Sequence, residues 1–182
     1  MQAINFLVDF ILEALVIVLI LRIWLQLVKA DFYSPLSQFI VKVSNPMVLP
    51  CRRYIPSIGS LDTTTLLLAY IFSSLKFIIL PLINGVGIDP IFAALLGLLA
   101  LIKQTGVLLF MLMLVMAIMS WVVQGYNPTL AIFHQLTEPL LKPIRNVVPT
   151  IGGLDLSVLI AFLALNIIDM LLSDFIPYWA AV

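Results

Sequence analysis

The chain has 182 residues, of which 63% are hydrophobic and only 10% are charged, with nine Lys or Arg balancing nine Asp or Glu. Soluble domains carry about 25% charged residues, so a mean hydropathy of +1.21 excludes an ordinary water-soluble globule and marks a membrane protein. Zero net charge, with the few basic residues beside apolar runs, leaves no footprint for nucleic acid and makes membrane lipid the expected partner.

A hydrocarbon core of about 30 Å needs roughly 20 helical residues. Four runs meet that length: Phe6–Val28, Asp62–Ile83, Thr105–Val123 and Leu154–Ile176. The opening stretch MQAINFLVDF lacks a basic n-region, and no small-residue cleavage site follows the first run, so that run is expected to stay in the protein. Between the second and third runs, PIFAALLGLLALIKQ (90–104) has an apolar part too short for a span and reads as an interfacial or re-entrant segment. The fold class is therefore all-α: a polytopic membrane protein of about four transmembrane helices with short interfacial or re-entrant helices.

From Asn45 the chain reads NPMVLPCRRYIPSIGSLD, and from Glu138 it reads EPLLKPIRNVVPTIGGLD. The two phrases align without a gap, every position meeting its counterpart 93 residues on. Pro46, Pro50, Arg52, Pro56, Gly59 and Asp62 meet Pro139, Pro143, Arg145, Pro149, Gly152 and Asp155, and the aromatic-proline pair Tyr33 and Pro35 meets Tyr126 and Pro128. Internal symmetry of this kind is common in membrane folds. The chain reads as two tandem repeats, 1–86 and 105–182, joined by 87–104. Each repeat is a span ending near a tryptophan (Trp24, Trp121), an aromatic-proline turn, a short amphipathic piece, the proline-arginine phrase and a second span.

Proline has no N–H and disfavours helix in the residue before it, so the phrase is expected to be irregular or built of very short helical turns. Irregular backbone cannot face hydrocarbon, which places the phrase at the water interface or against protein. Arg52 and Arg145 suit that level, since a guanidinium holds lipid phosphate or a carboxylate by paired hydrogen bonds. Asp62 and Asp155 each stand between a glycine-containing turn and an apolar run, where a helix N-cap belongs. Capping and an Arg52–Asp62 or Arg145–Asp155 pair are both open to these residues. Lys29, Lys42, Arg52, Arg53, Lys142 and Arg145 cluster around the two phrases, so both are predicted to be cytoplasmic. That requires an even number of crossings between them and predicts that 90–104 does not span.

An ionisable group at mid-membrane costs about 2.5–3.5 kcal/mol on insertion scales, so each one in a span asks for a reason. Arg22 is expected to reach headgroups by its long stem. Lys76 and Asp169 are equivalent positions, and with Asp9, Glu13 and Asn166 they form a predicted polar cluster. Its functional reading is an ion or proton pathway, and its structural reading is pairing that fixes helix order. His134 is the only histidine and Cys51 the only cysteine, so bis-histidine haem ligation within one chain and an internal disulfide are excluded. No phosphate-binding, zinc-protease or serine-hydrolase motif occurs; no enzyme activity, cofactor or metal site is expected.

The doubled pattern P-x-x-x-P-x-R-x-x-x-P, followed by an Ile-Gly-x-Leu-Asp turn and an apolar span, resembles the YggT family of integral membrane proteins over nearly the whole chain. The resemblance implies a multi-pass bacterial inner-membrane protein of two YggT repeats, linked to tolerance of osmotic shock and to cation homeostasis. Similar proteins of cyanobacteria and plastids are tied to division, nucleoid organisation and cytochrome assembly. It transfers no catalytic residues. The expected role is a non-enzymatic scaffold or assembly factor, acting as a homo-oligomer with lipid or membrane-protein partners; the alternative is an oligomeric cation channel or transporter using the buried charges. The copies also differ: Asn45 becomes Glu138, Arg53 becomes Asn146, and the link from tryptophan to the aromatic-proline turn is shorter in the second.

Overall fold

The computed structural model describes residues 2–55, 62–123, 125, 127–148 and 156–182. Among these the chain forms six α-helices and one 3-10 turn, with no strand. They are α1 (Gln2–Leu27), α2 (Pro35–Arg52), α3 (Thr63–Ile83), α4 (Pro90–Val122), α5 (Pro128–Arg145), α6 (Ser157–Phe175) and the 3-10 turn Trp179–Ala181. Helices α1, α3, α4 and α6 are long and apolar enough to cross a membrane, as the four runs predict.

The starts follow from the local chemistry. Ser34, Asp89 and Asn127 accept hydrogen bonds from the backbone N–H groups of Ser37, Ile91 and Thr129, at 3.1, 3.0 and 2.8 Å. Each stands before a proline at the first helical position, where the missing N–H costs nothing. Asp62 caps α3 through the N–H of Thr65 at 3.3 Å.

Two expectations are corrected. The prolines do not break the phrase: α2 runs through Pro46 and Pro50, and α5 runs through Pro139 and Pro143. In each helix the two prolines are four residues apart, and both lie on the exposed face. The carbonyls that they leave without a helical donor, four residues back, belong to Lys42 and Pro46 or to Gln135 and Pro139, which are exposed too, so water or headgroups can satisfy them. Pro56, Gly59, Pro149, Gly152 and Asp155 lie outside the described residues. The second correction concerns 90–104, which forms no separate segment. Helix α4 continues through it to Val122 as one element of 33 residues, about 50 Å long at 1.5 Å per residue, because Lys103 and Gln104 interrupt the apolar run without interrupting the backbone. With α4 as one crossing, two spans separate the phrases.

The core sits where the repeats meet. Leu19 and Leu25 of α1, Val48 of α2, Ala69 of α3, and Ile132 and Leu136 of α5 share one buried cluster, and Trp24 Nε1 donates to the carbonyl of Leu136 at 2.9 Å. A smaller cluster holds Met113, Met116, Leu141 and Ala161. Of α6 only Ser157 and Ala161 are buried. Its outward Leu163, Met170 and Phe175 are the apolar surface that a lipid-facing helix presents.

Candidate functional site

The phrase of the first repeat closes around Asp62. Its carboxylate is fully buried and receives Arg52 Nη2 at 2.6 Å, while Arg22 Nε lies 3.9 Å away. Capping and the Arg52–Asp62 pair thus coexist in one side chain. Arg22 does not snorkel to headgroups: it is buried and donates to Ser44 Oγ at 2.6 Å and Asn45 Oδ1 at 2.9 Å. The node ties the end of α1 to α2 and to the start of α3, with two guanidiniums on one carboxylate and hydroxyl and amide oxygens taking up remaining donors. Such satisfaction is what makes a buried charge tolerable. Ser44 and Asn45 escaped the sequence reading; the available signal was their place immediately before the first proline of the phrase, near the span end that carries Arg22.

In the second repeat Arg145 Nη1 binds Glu138 Oε2 at 2.8 Å, so the residue standing where the first repeat has Asn45 becomes the anion. Asp155 is outside the described residues. Both groups of this pair are partly exposed, with side chains 30% and 47% accessible.

The predicted polar cluster divides. Lys76 of α3 pairs with Asp9 and Glu13 of α1, at 2.8 and 2.7 Å. Beside them, Glu13, Ser73, Lys76 and Gln104 line a cavity of about 20 Å³, room for about one water molecule. Asn166 and Asp169 stand apart from this triad. Asn166 Nδ2 donates to the carbonyl of Phe162 at 2.8 Å. Asp169 Oδ1 accepts from Trp179 Nε1 at 2.9 Å, and Lys103 Nζ donates to the backbone oxygens of Trp179 and Val182 at 3.0 and 2.6 Å. Lys103, Asn166, Asp169 and Trp179 line a cavity of about 450 Å³ between α4 and α6. Trp179 and Lys103 were missed by the sequence reading, for no periodic pattern shows that the chain folds back after α6.

Among the described residues no group of three His, Cys, Asp or Glu side chains is placed to hold a metal ion. His134 and Cys51 are half-buried. What the arrangement offers chemically is anion and cation pairing at helix junctions, together with an exposed basic, proline-bearing face on α2 and α5.

Comparison with known proteins agrees with the doubled architecture. The family model described as CCB3/YggT matches residues 1–83 and 95–176. The chain belongs to the CCB3/YggT family. Its two segments correspond to two YggT repeats. The chain is 50% identical over 183 residues to an uncharacterized protein of the proC 3′ region of Vibrio alginolyticus, covering 98% of each chain. It is 46% identical over 170 residues to the uncharacterized protein YggT of Escherichia coli K12, covering 93% of this chain and 89% of the relative. A third relative, the uncharacterized protein PA0392 of Pseudomonas aeruginosa, is 41% identical over 162 residues, with 87% and 82% covered. No solved structure matches the chain.

Proposed function

We propose that this YggT-family protein is a non-enzymatic scaffold or assembly factor of the bacterial inner membrane, supporting osmotic-stress tolerance and ion homeostasis. It works as a homo-oligomer whose two proline-arginine faces lie on the cytoplasmic side and engage lipid or membrane-protein partners. The repeat boundaries that suit this reading are 1–86 and 105–182.

The observation that carries it is the pairing of Lys76 with Asp9 and Glu13. The charges of the first repeat's spans are used on one another, and the cavity beside them holds about 20 Å³, an arrangement that suits structural cross-linking better than an ion pathway. By contrast, α2 and its C-cap keep Lys42, Pro46, Pro50 and Arg53 exposed, and α5 keeps Pro139, Lys142 and Pro143 exposed. That composition suits anionic headgroups or acidic partner segments.

The test is cation flux in proteoliposomes holding the purified protein, with and without an osmotic gradient, beside growth of a deletion strain under osmotic upshift. The expected result is no flux, and loss of growth rescue in Arg52→Ala with Arg145→Ala. Flux in the native protein that disappears in Glu13→Gln with Asp169→Asn would overturn this reading in favour of an oligomeric cation channel.

A further inference from the structure

The two repeats place different things between their spanning helices. Between α1 and α3 the space is closed by Lys76 reaching Asp9 and Glu13. Between α4 and α6 it is an open slot of about 450 Å³. Counted from Trp121, the counterpart of Trp24, the positions of Asp9 and Glu13 are occupied by Gly106 and Phe110, and both line the slot. The position of Lys76 is occupied by Asp169. One repeat has a cation facing two acids; the other has an acid facing glycine and an aromatic ring.

Asp169 and Lys103 make no ion pair with each other or with any charged side chain among the described residues. Trp179 stands between them, giving its ring N–H to Asp169 and its carbonyl to Lys103. Two of the three donors of the Lys103 ammonium are used, and one carboxylate oxygen of Asp169 takes the Trp179 bond. An acid and a base, each with bonding capacity left, thus share one end of a slot that is otherwise apolar except for Asn166, whose amide N–H is taken by the carbonyl of Phe162. Asp169 lies six residues before the end of α6, about 9 Å along the axis, and a tryptophan just beyond a span end sits at headgroup level.

We propose that the slot between α4 and α6 is a binding site for a phospholipid with a primary ammonium headgroup. Its ammonium is held by Asp169, its phosphate by Lys103, and its acyl chain runs inward along Phe110 and Leu165. Charge complementarity selects this occupant: a zwitterionic head satisfies both groups at once, whereas an anionic head leaves the acid unpaired and a trimethylated head has no N–H to donate. The site is independent of the scaffold role of the proline-arginine faces.

The experiment is native mass spectrometry of the full-length protein in detergent, with acyl-matched phosphatidylethanolamine, phosphatidylcholine and phosphatidylglycerol added in competition. The expected result is retention of phosphatidylethanolamine about tenfold over the other two, the size of one charge-assisted hydrogen bond, with the preference lost in Asp169→Asn. Gly106→Leu serves as the second variant. A Cβ at Gly106 meets nothing within 4 Å, so the larger side chain fills the slot, leaves the thermal unfolding of lipid-free protein unchanged or slightly raised and abolishes the adduct. Equal retention of all three lipids, an unchanged preference in Asp169→Asn, or a lipid-free dimer that Gly106→Leu dissociates would overturn the proposal, the last by giving the slot to a second copy of this chain.

Discussion

The two YggT repeats follow one pattern and stabilise it differently. In the first, Asp62 is the hub of a buried node to which α1 contributes Arg22 and α2 contributes Arg52, and the spans α1 and α3 are linked again by Lys76. In the second, no basic residue stands at the place of Arg22 in the preceding span, Arg145 pairs, among the described residues, with Glu138 on its own helix, and α6 buries only two residues. A duplicated sequence therefore does not imply duplicated energetics. Among the described residues the first repeat is the more tightly linked unit and positions the interface with α5, whereas the last helix of the second leaves most of its apolar surface exposed.

The largest effect is expected at Asp62. Replacing it by Ala leaves Arg22 buried without its carboxylate and removes the cap of α3, a loss of about 3–5 kcal/mol for a broken buried pair, read as a fall in the unfolding midpoint in detergent. A smaller loss when Arg22→Met is added to Asp62→Ala would show that the buried charge, and not the cap, carries the cost. Lys76→Met comes next, at about 1–3 kcal/mol, because it leaves Asp9 and Glu13 facing one another in a partly accessible site. Adding Asp9→Asn and Glu13→Gln is expected to restore most of the stability. A Lys76→Met protein that unfolds like the native one would remove the argument that this triad links α1 to α3.

Much of this contrast is legible in the sequence and some is not. The Arg52–Asp62 contact is one of two readings that the phrase leaves open, whereas the four spans, the repeat and the place of the Asp62 cap follow from length, spacing and residue type. The continuity of α2 and α5 does not, because a proline reads as a breaker until one knows that its freed carbonyl faces outward. Residues 90–104 were misread for a related reason: Lys103 and Gln104 end an apolar count, yet a helix needs no apolar residue to continue. Depth placed Lys76 level with Asp169, but equal depth leaves open which way each helix faces, and the two residues have different partners. Arg22 has a stem that reaches headgroups and a polar node equally well, and only the position of α2 decides between them.

Gly97 and Gly106 of α4 sharpen the comparison at the level of packing. A Cβ on Gly97 would lie 2.5 Å from Ser74 Cα and collide with the Ser74 side chain. The close approach also lets Ser73 Oγ reach the carbonyl of Gly97 at 2.8 Å, so small residues set the separation of α3 and α4. Gly97→Ala is expected to cost about 1–3 kcal/mol by forcing the helices apart, whereas Gly106→Ala meets open space and is expected to be neutral or slightly stabilising through helix propensity.

The smallest effect is expected at Glu138. Its pair with Arg145 is partly exposed and lies within α5, so Glu138→Gln is expected to shift unfolding by less than about 1 kcal/mol. The result bears on the asymmetry because Asn45 already carries an amide at the same place in the first repeat. If Glu138→Gln destabilises as much as Asp62→Ala, the Glu138–Arg145 pair holds the second repeat as strongly as the Asp62 node holds the first. If it is nearly silent, the acid at 138 adds charge to the partly exposed face of α5 without altering how the chain folds, and the asymmetry between Asn45 and Glu138 lies outside the energetics of folding.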